Sequence, residues 1–200
     1  MVGPPFGVLA LQGDFAAHAG ALLGLGVDLR EIRRVDELAG LAGLVLPGGE
    51  SSTLLNLMRD EPWFQGLRRL HARGGAFLGT CAGAILLCKE VSPTQPSLGL
   101  LDAVVERNAY GRQIDSFEAR LDAPGLATPI KGIFIRAPRF TTVGPGVQVL
   151  ARLDGEPVLV RQDRVLAATF HPELRGGAEV HRLFVDLASR ETPQVESSNR

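Results

Sequence analysis

The first ninety residues alternate short apolar runs with helix-like segments, and this alternation limits the folds open to the chain. Apolar runs of strand length lie at residues 7–11, 27–32, 44–46 and 76–78. Helix-like segments lie at residues 15–25, 51–59, 62–72 and 82–89, with Ser51 as the expected N-cap of the second. Strands separated by helices predict an α/β fold with a largely parallel sheet covered on both faces.

The second half has many strand candidates and few helices. The candidates lie at residues 104–107, 117–121, 133–135, 147–153, 157–162 and 165–170, with a hairpin turn at 154–156. We therefore expect antiparallel additions that make the sheet mixed. An amphipathic helix is predicted at 178–189, and the polar, aperiodic residues 191–200 are expected to be disordered. Residues 1–190 are thus predicted to form a single domain.

The composition argues against several classes of partner. The 200 residues include 21 basic and 22 acidic side chains, and a net charge of −1 gives no reason to expect nucleic acid or an anionic membrane. The N-terminus lacks the features of a signal peptide, and the apolar runs are too short to span a bilayer. The two cysteines fit neither a disulfide framework nor a metal motif, and no two histidines have metal-ligand spacing. We expect a cytoplasmic protein with no metal and no cofactor.

The sequence GTCAG at positions 79–83 joins a predicted strand to a predicted helix. It has the form of a nucleophile elbow, in which a sharp turn exposes the central side chain and flanking glycines avoid clashes. The N-terminus of the following helix favours negative charge on the sulfur. Cys81 is therefore the candidate nucleophile. A buried structural cysteine is the alternative for this motif alone, and it is the preferred interpretation of Cys88.

The sequence FHPE at positions 170–173 follows the last predicted strand. In an extended segment His171 and Glu173 lie on the same side, and Pro172 keeps the backbone out of a helix. Glu173 can then orient His171 toward a thiol, which is the arrangement of a covalent hydrolase. A surface His–Glu pair is the alternative. The other histidines, His18, His71 and His181, are expected on solvated helix faces.

Two further regions suggest how an amide substrate is bound. The Gly-Gly turn of LPGGES (46–51) can present a backbone N–H near Gly49, and the N–H of Ala82 can present a second, so that together they form an oxyanion hole. Arg107 and Arg136 each lie near a strand end, where a guanidinium can pair with a carboxylate. Glycine turns and surface arginines are common, so these features are weak individually.

Taken together, these motifs resemble the triad-type class I glutamine amidotransferases. Within that group the chain is most similar to the glutaminase subunits of pyridoxal 5′-phosphate synthases, over residues 7–189. The segments that carry the resemblance are GVLALQG (7–13), LPGGES (46–51), GTCAG (79–83), VERN (105–108), GRQ (111–113), DSFEA (115–119), FIRAP (134–138) and FHPEL (170–174). Each segment is ambiguous alone, but their joint order is specific. Asp14 and Ser52 depart from the pattern without touching the triad.

The resemblance implies a three-layer α/β sandwich with a mixed, mainly parallel central sheet. It implies hydrolysis of L-glutamine by Cys81, His171 and Glu173, with glutamine contacts from Gly49, Glu50, Ser51, Arg107, Ile135 and Arg136. It also implies a partner synthase built as a (β/α)₈ barrel, which receives the ammonia and activates an otherwise weak glutaminase. Two alternatives stay open: a glutaminase serving another amidotransferase, such as imidazole glycerol phosphate synthase, and a catalytically silent regulatory subunit.

Overall fold

The computed structural model describes residues 3–107, 109, 116–126, 129–175 and 178–189. Over these residues the strands, in chain order, are β1 (Phe6–Leu9), β2 (Leu29–Ile32), β3 (Gly43–Leu46), β4 (Ala76–Thr80), β5 (Cys88–Ser92), β6 (Leu101–Glu106), β7 (Phe117–Arg120), β8 (Lys131–Phe134), β9 (Arg139–Val143), β10 (Gln148–Leu153), β11 (Glu156–Gln162) and β12 (Val165–Ala168). The helices are α1 (Phe15–Leu23), α2 (Ser51–Leu57), α3 (Trp63–Ala72), α4 (Ala82–Leu87) and α5 (Ala178–Ser189), and a 3-10 turn spans Val35–Leu38.

Seven strands form the central sheet, in the order β10-β11-β12-β4-β3-β1-β2. The five strands from β12 to β2 are parallel to their neighbours, while β11 and β10 add to one edge in antiparallel orientation. The hairpin between β10 and β11 turns at Asp154 and Gly155, whose φ angles are 50° and 85°. The prediction of a mixed, mainly parallel sheet is confirmed.

The two faces of this sheet are buried under different helices. Leu44 and Leu46 of β3 pack into a core shared with α2, α3 and α4, whereas Val45 between them packs into a core shared with α1 and α5. This follows from the alternation of side chains along a strand. Because every residue of β3, β4 and β12 is buried, the central strands need apolar residues on both faces. The expected three-layer sandwich is confirmed.

Two small sheets lie outside the central one, and the sequence did not distinguish them from it. Strands β5, β6 and β9 form one, and β7 with β8 forms the other. The expected helix at 82–89 is too long, because Cys88 has extended backbone angles and opens β5. Strands β5 and β9 were not predicted. Their short segments, such as Arg139–Val143, are stabilised by pairing with β6, and pairing across a distance in sequence leaves little local signal.

The N-termini of helices α1 and α2 begin at different kinds of residue. Asp14 is the N-cap of α1, and its Oδ1 accepts a hydrogen bond of 3.2 Å from the N–H of Ala17. The expectation that Ser51 caps α2 is wrong. Glu50 has the extended backbone of the N-cap, and Ser51 is the first helical residue, with its hydroxyl donating to Gln95 Oε1 at 3.0 Å.

Some expectations concern parts of the chain that are not described. The tail at 191–200 and the GRQ segment at 111–113 lie outside the described residues. Within the described residues, no helix is long and apolar enough to cross a membrane.

Candidate active site

Cys81 occupies the sharp turn between β4 and α4. Its φ of 46° and ψ of −104° place a non-glycine residue in a rarely occupied backbone region. Its N–H donates to the carbonyl of Ala168 at 2.9 Å, which ties the turn to the end of β12. A Cβ on Gly79 would lie 2.6 Å from the carbonyl carbon of Gly83, and a Cβ on Gly83 would overlap the Leu46 carbonyl oxygen. Both flanking glycines are therefore required by close backbone packing.

His171 reaches the same edge of the sheet from the neighbouring strand. Strands β4 and β12 are parallel neighbours with Thr80 opposite Ala168, so the segments that follow them emerge side by side. The N–H of His171 donates to the carbonyl of Ile133 at 2.8 Å. A Cβ on Gly48 would lie 2.6 Å from His171 Cε1 and 3.3 Å from Cys81 Cβ, so the Gly48 loop packs against both side chains.

Glu173 holds His171 through its first carboxylate oxygen. His171 Nδ1 lies 2.8 Å from Glu173 Oε1, and the two side chains are 12% and 1% exposed. Because the carboxylate can only accept, Nδ1 donates the hydrogen bond, and Nε2 is left for the sulfur. The two motifs, 90 positions apart in sequence, thus form one site.

The electrostatics of the site favour an imidazolium. Burial would lower the pKa of His171, but hydrogen bonds with Cys81 and Glu173 outweigh it and raise the pKa to about 10. Burial likewise would raise the pKa of Glu173, but the hydrogen bond from His171 leaves it lowered overall. Near neutral pH His171 is therefore charged beside an ionised Glu173.

A cavity of about 90 Å³ opens onto the sulfur and the imidazole. Its lining contains Cys81, Ile85 and His171 together with every residue for which a glutamine contact was expected: Gly49, Glu50, Ser51, Arg107, Ile135 and Arg136. Two larger cavities, of about 460 and 650 Å³, contain neither Cys81 nor His171. The smaller cavity is the candidate substrate site because it alone of the three joins a nucleophile, a base and cationic side chains.

The polar residues that line this cavity are Glu50, Ser51, Arg107 and Arg136, and together they form its polar wall. Two of them, Arg107 and Glu50, already form an ion pair. Arg107 Nη2 lies 3.3 Å from Glu50 Oε1, and the hydroxyl of Ser52 donates to the same oxygen at 3.1 Å. Arg107 is 19% exposed in its side chain and Glu50 46%, so solvent weakens the ion pair. A bound amino acid could compete for both groups, with its carboxylate facing Arg107 and its ammonium facing Glu50.

The expected oxyanion donors lie on either side of the nucleophile. Ala82 follows Cys81 and is buried at the start of α4. Gly49 lines the cavity with a φ of 134°, a backbone angle open to glycine and rarely to other residues. A Cβ on Gly49 would lie 2.7 Å from Gln12 Nε2, so the side chain of Gln12 packs directly over this residue.

The expectation of solvated faces for His18 and His181 is wrong. Both side chains are fully buried, between α1, α5 and the end of β4, and His18 approaches Glu173. A signal was present in the sequence: His18 lies one helical turn before Leu22, and His181 lies three residues before Phe184, which places each on an apolar face. His71, by contrast, is only partly buried.

Within the described residues, no group of three His, Cys, Asp or Glu side chains is arranged to hold a metal ion.

A model of the SNO glutamine amidotransferase family matches residues 8–190. The chain belongs to the SNO glutamine amidotransferase family. Thr80 through Gly83 and His171 through Glu173 all lie inside the matched region.

Relatives within the SNO family are similar over nearly their whole length. A protein of Thermus thermophilus is 54% identical over 185 residues, covering 91% of this chain and 96% of the relative. A protein of Deinococcus radiodurans is 52% identical over 188 residues, with the same coverage. Both are named pyridoxal 5′-phosphate synthase subunit PdxT.

Solved structures agree with the fold. A crystal structure of a glutamine amidotransferase has a TM-score of 0.86 and 51% identity, covering 92% of this chain and 99% of that one. PurLQS from Thermotoga maritima has a TM-score of 0.72 at 17% identity, covering 93% of this chain and 99% of that one, and bears on the fold alone.

The two departures from the pattern expected of the SNO family have local structural roles. Asp14 caps α1, and Ser52 donates a hydrogen bond to the Glu50 carboxylate on the rim of the cavity. Neither side chain reaches the Cys81, His171 and Glu173 cluster through any hydrogen bond among the described residues.

Proposed function

We propose that this chain hydrolyses L-glutamine to glutamate and ammonia with Cys81 as nucleophile, His171 as acid and base, and Glu173 as the group that orients His171. The observation that carries the proposal is the strained Cys81 turn and the 2.8 Å His171–Glu173 pair, which lie at the ends of adjacent parallel strands and border one cavity. Membership of the SNO family supports amide hydrolysis as the reaction.

The first half-reaction forms a γ-glutamyl thioester. His171 holds the proton given up by the sulfur, and the thiolate attacks the side-chain amide carbon of glutamine. The negative oxygen that develops is stabilised by the N–H groups of Gly49 and Ala82. When the carbon–nitrogen bond breaks, the imidazolium donates its proton to the leaving nitrogen. Ammonia departs, and His171 is left neutral with Nδ1 still bound to Glu173.

The second half-reaction returns the site to its starting state. Neutral His171 removes a proton from a water molecule as the water attacks the thioester. The carbon–sulfur bond breaks, glutamate leaves, and the sulfur is again a thiolate facing an imidazolium. No step requires a cofactor or a metal.

Substrate recognition is assigned to the polar wall of the cavity. Arg107 and Arg136 are positioned for the α-carboxylate, and Glu50 for the α-ammonium group, in the cavity that Gly49, Ser51 and Ile135 also line. For Arg107 to bind the carboxylate, its 3.3 Å contact with Glu50 must be shared or opened. Glutamine binding then replaces the Arg107–Glu50 ion pair by two ion pairs with the substrate, one to its carboxylate and one to its ammonium group. A free amino acid is therefore favoured over a simple amide, which lacks these two charges.

The ammonia is proposed to serve a synthase that makes pyridoxal 5′-phosphate. Relatives at 52–54% identity carry the name of a subunit of that synthase, which favours this partner over imidazole glycerol phosphate synthase. We propose that the partner is a (β/α)₈ barrel, and that the complex works in the cytoplasm, where the Cys81 thiol stays reduced. Ammonia passed directly to the partner avoids conversion to ammonium, which is not nucleophilic.

The test is release of glutamate from glutamine by the purified chain, with and without the synthase subunit of the same organism. We expect release that rises with the synthase present. A Cys81→Ala variant measured in parallel should give none. If the synthase for imidazole glycerol phosphate activates the chain and the pyridoxal phosphate synthase does not, the partner is wrong. If neither activates it and no glutamate is released, the chain is a silent subunit.

A further inference from the structure

A buried polar cluster lies behind Glu173, on the side away from His171. His18 of α1 places its Nε2 3.4 Å from Glu173 Oε2 and 3.2 Å from Thr80 Oγ1. Its other nitrogen, Nδ1, lies 2.9 Å from Nε2 of His181 on α5. His18, Thr80 and His181 have essentially no exposed surface. The cluster therefore links the catalytic loop to two helices on one face of the sheet.

The second oxygen of Glu173 depends on this cluster for polar contact. Oε2 is buried and has no hydrogen-bond partner among the described residues, while Oε1 is occupied by His171. A buried carboxylate oxygen without compensation is costly. The His18 ring, whose Nε2 faces Oε2 at 3.4 Å, supplies a charge–dipole contact in place of a short hydrogen bond.

His18 is neutral near neutral pH. Burial, the largest influence, lowers its pKa to about 4, although the negative charge of Glu173 pulls in the opposite direction. The neutral ring carries a single N–H, so its tautomer decides what it offers to Glu173.

The neighbours of His18 select that tautomer. A lone pair on Nε2 would face the negative oxygen of Glu173 and be repelled, so the hydrogen belongs on Nε2. There it points to the hydroxyl oxygen of Thr80 at 3.2 Å, and Glu173 Oε2 lies beside it at 3.4 Å from Nε2. Nδ1 is then an acceptor, and it takes the N–H from Nε2 of His181 at 2.9 Å. The polar chain thus runs from His181 through His18 to Glu173.

We infer that His18 is a positioning residue of the proposed triad: it holds the Glu173 carboxylate by Oε2 so that Oε1 stays on His171, and His181 fixes the tautomer of His18 in which this is possible. This inference rests on the proposed function. Without the N–H of His18, Glu173 Oε2 loses its polar neighbour, and the carboxylate is held only from the side of Oε1 by His171 and by its own backbone N–H. The hydrogen bond to His171 Nδ1 would then weaken, and the imidazolium formed opposite Cys81 would lose part of its stabilisation.

Two amide variants of His18 separate the contact with Glu173 from the contact with His181. In His18→Gln the side-chain nitrogen can reach the position of Nε2, so a donor toward Glu173 is kept. In His18→Asn the shorter side chain reaches only the position of Nδ1, so the contact with His181 is kept and the one with Glu173 is lost. Both variants are uncharged and polar, and both remove the ring, although Asn is one methylene shorter than Gln and leaves the larger cavity.

The measurement is steady-state glutamine hydrolysis in the complex with the synthase subunit. We expect His18→Asn to lower kcat by about tenfold or more with little change in KM, because outer contacts to a catalytic group typically matter by ten- to a hundredfold. His18→Gln should recover most of the loss. Equal kcat for His18→Asn and the wild type would overturn the inference, as would an equal loss in both variants.

A pH profile adds a readout that a purely structural role does not move. His171 is faced by Cys81 and Glu173, with His18 behind Glu173, and the cavity adds Glu50, Arg107 and Arg136. Among the contacts of His171 and Glu173, His18→Asn removes only the one between position 18 and Glu173. The alkaline limb of kcat against pH should therefore move to lower pH, since Glu173 raises the pKa of His171. An unmoved limb would contradict the inference.

The outcomes separate this inference from the proposed function. If the wild-type complex releases no glutamate, the proposed function fails before the variants are compared. If the wild type is active and His18→Asn matches it in kcat and in pH profile, the positioning role alone fails. Should His18→Asn not fold, His18→Gln decides: a tenfold lower kcat in folded protein overturns the donor role.

Discussion

Gln12 Oε1 accepts a hydrogen bond of 3.2 Å from the backbone N–H of Glu50. Gln12 follows β1 and Glu50 follows β3, and these strands are adjacent and parallel, so the two loops meet at one edge of the sheet. The same side chain packs over Gly49, and its Nε2 is buried with no hydrogen-bond partner among the described residues. Because one hydrogen bond is worth about 0.5–1.5 kcal/mol, this bond alone does not lock the loop in one state.

Activation by the synthase is predicted from this loop. We expect saturating synthase to raise kcat strongly and to change KM less, because docking would complete the oxyanion hole near Gly49. One missing donor corresponds to about 3–4 kcal/mol of transition-state energy, or roughly a hundred- to a thousandfold in rate. Partner binding can shift the loop only through a difference in affinity for its two states. Steady-state kinetics with and without synthase test this, and an identical kcat would reject the activation while leaving the triad standing.

The two cysteines should differ completely in their importance. Cys88 is fully buried, donates its S–H to the carbonyl of Ala84 at 3.3 Å, and has a pKa raised by burial, so it stays an inert thiol. We expect Cys81→Ala to abolish hydrolysis with the fold intact, and Cys88→Ala to retain most of it. Glutamate release and thermal unfolding of both variants are the measurements. An inactive Cys88→Ala with an active Cys81→Ala would reverse the assignment.

The sequence revealed those parts of the site that depend on local backbone geometry. The Cys81 turn needs small residues at fixed offsets, and Pro172 keeps His171 and Glu173 on one side, so both motifs are visible in a few consecutive letters. The meeting of the two motifs follows from the parallel pairing of β4 and β12. The alternation in the first ninety residues does not predict this pairing, because β12 lies in the strand-rich second half.

The sequence did not reveal contacts that depend on packing between distant elements. His18 and His181 are 163 positions apart and become neighbours only when α1 and α5 cover the same face of the sheet. Solvated faces were expected for both, because polar residues on helices are usually solvated. Their apolar neighbours are a signal of burial, but nothing local points to a partner. Likewise, Ser51 was placed at the N-cap by residue preference, whereas Gln95, 44 positions away, binds its hydroxyl.

Glu173→Gln should reduce turnover far more than it weakens glutamine binding. A neutral amide can still accept a hydrogen bond from His171, but it cannot stabilise the imidazolium, so the pKa of His171 falls. We expect kcat to drop by at least about a hundredfold with KM nearly unchanged. Steady-state kinetics in the complex with synthase decide the matter. A variant with normal kcat and a raised KM would make Glu173 a substrate-binding residue.

The fold should lose stability between pH 6.5 and pH 4.5 because of His18. Its pKa is about 6.5 when unfolded and about 4 when folded, so in this window the unfolded chain binds the extra proton. Stability is therefore fully present above pH 6.5 and falls as the pH approaches 4. The loss by pH 4.5 is about 2–3 kcal/mol for one such group. His171, whose pKa is raised to about 10, is protonated in both states throughout most of this window and contributes little to the change.

Urea unfolding of the wild type and His18→Gln at pH 6.5 and 4.5 measures this loss. The variant has no ring to protonate at position 18, so the difference between its two free energies of unfolding should be smaller than that of the wild type by about 2 kcal/mol. His71→Gln is the matched control, since His71 also has a pKa lowered by burial but is only partly buried, and its removal should change the difference less. If His18→Gln and the wild type lose stability equally on acidification, folding does not lower the pKa of His18, and the ring is charged in the folded protein at pH 4.5. The Glu173–His18 contact would then be an ion pair, and the hydrogen on Nδ1 of His18 would have to point at His181.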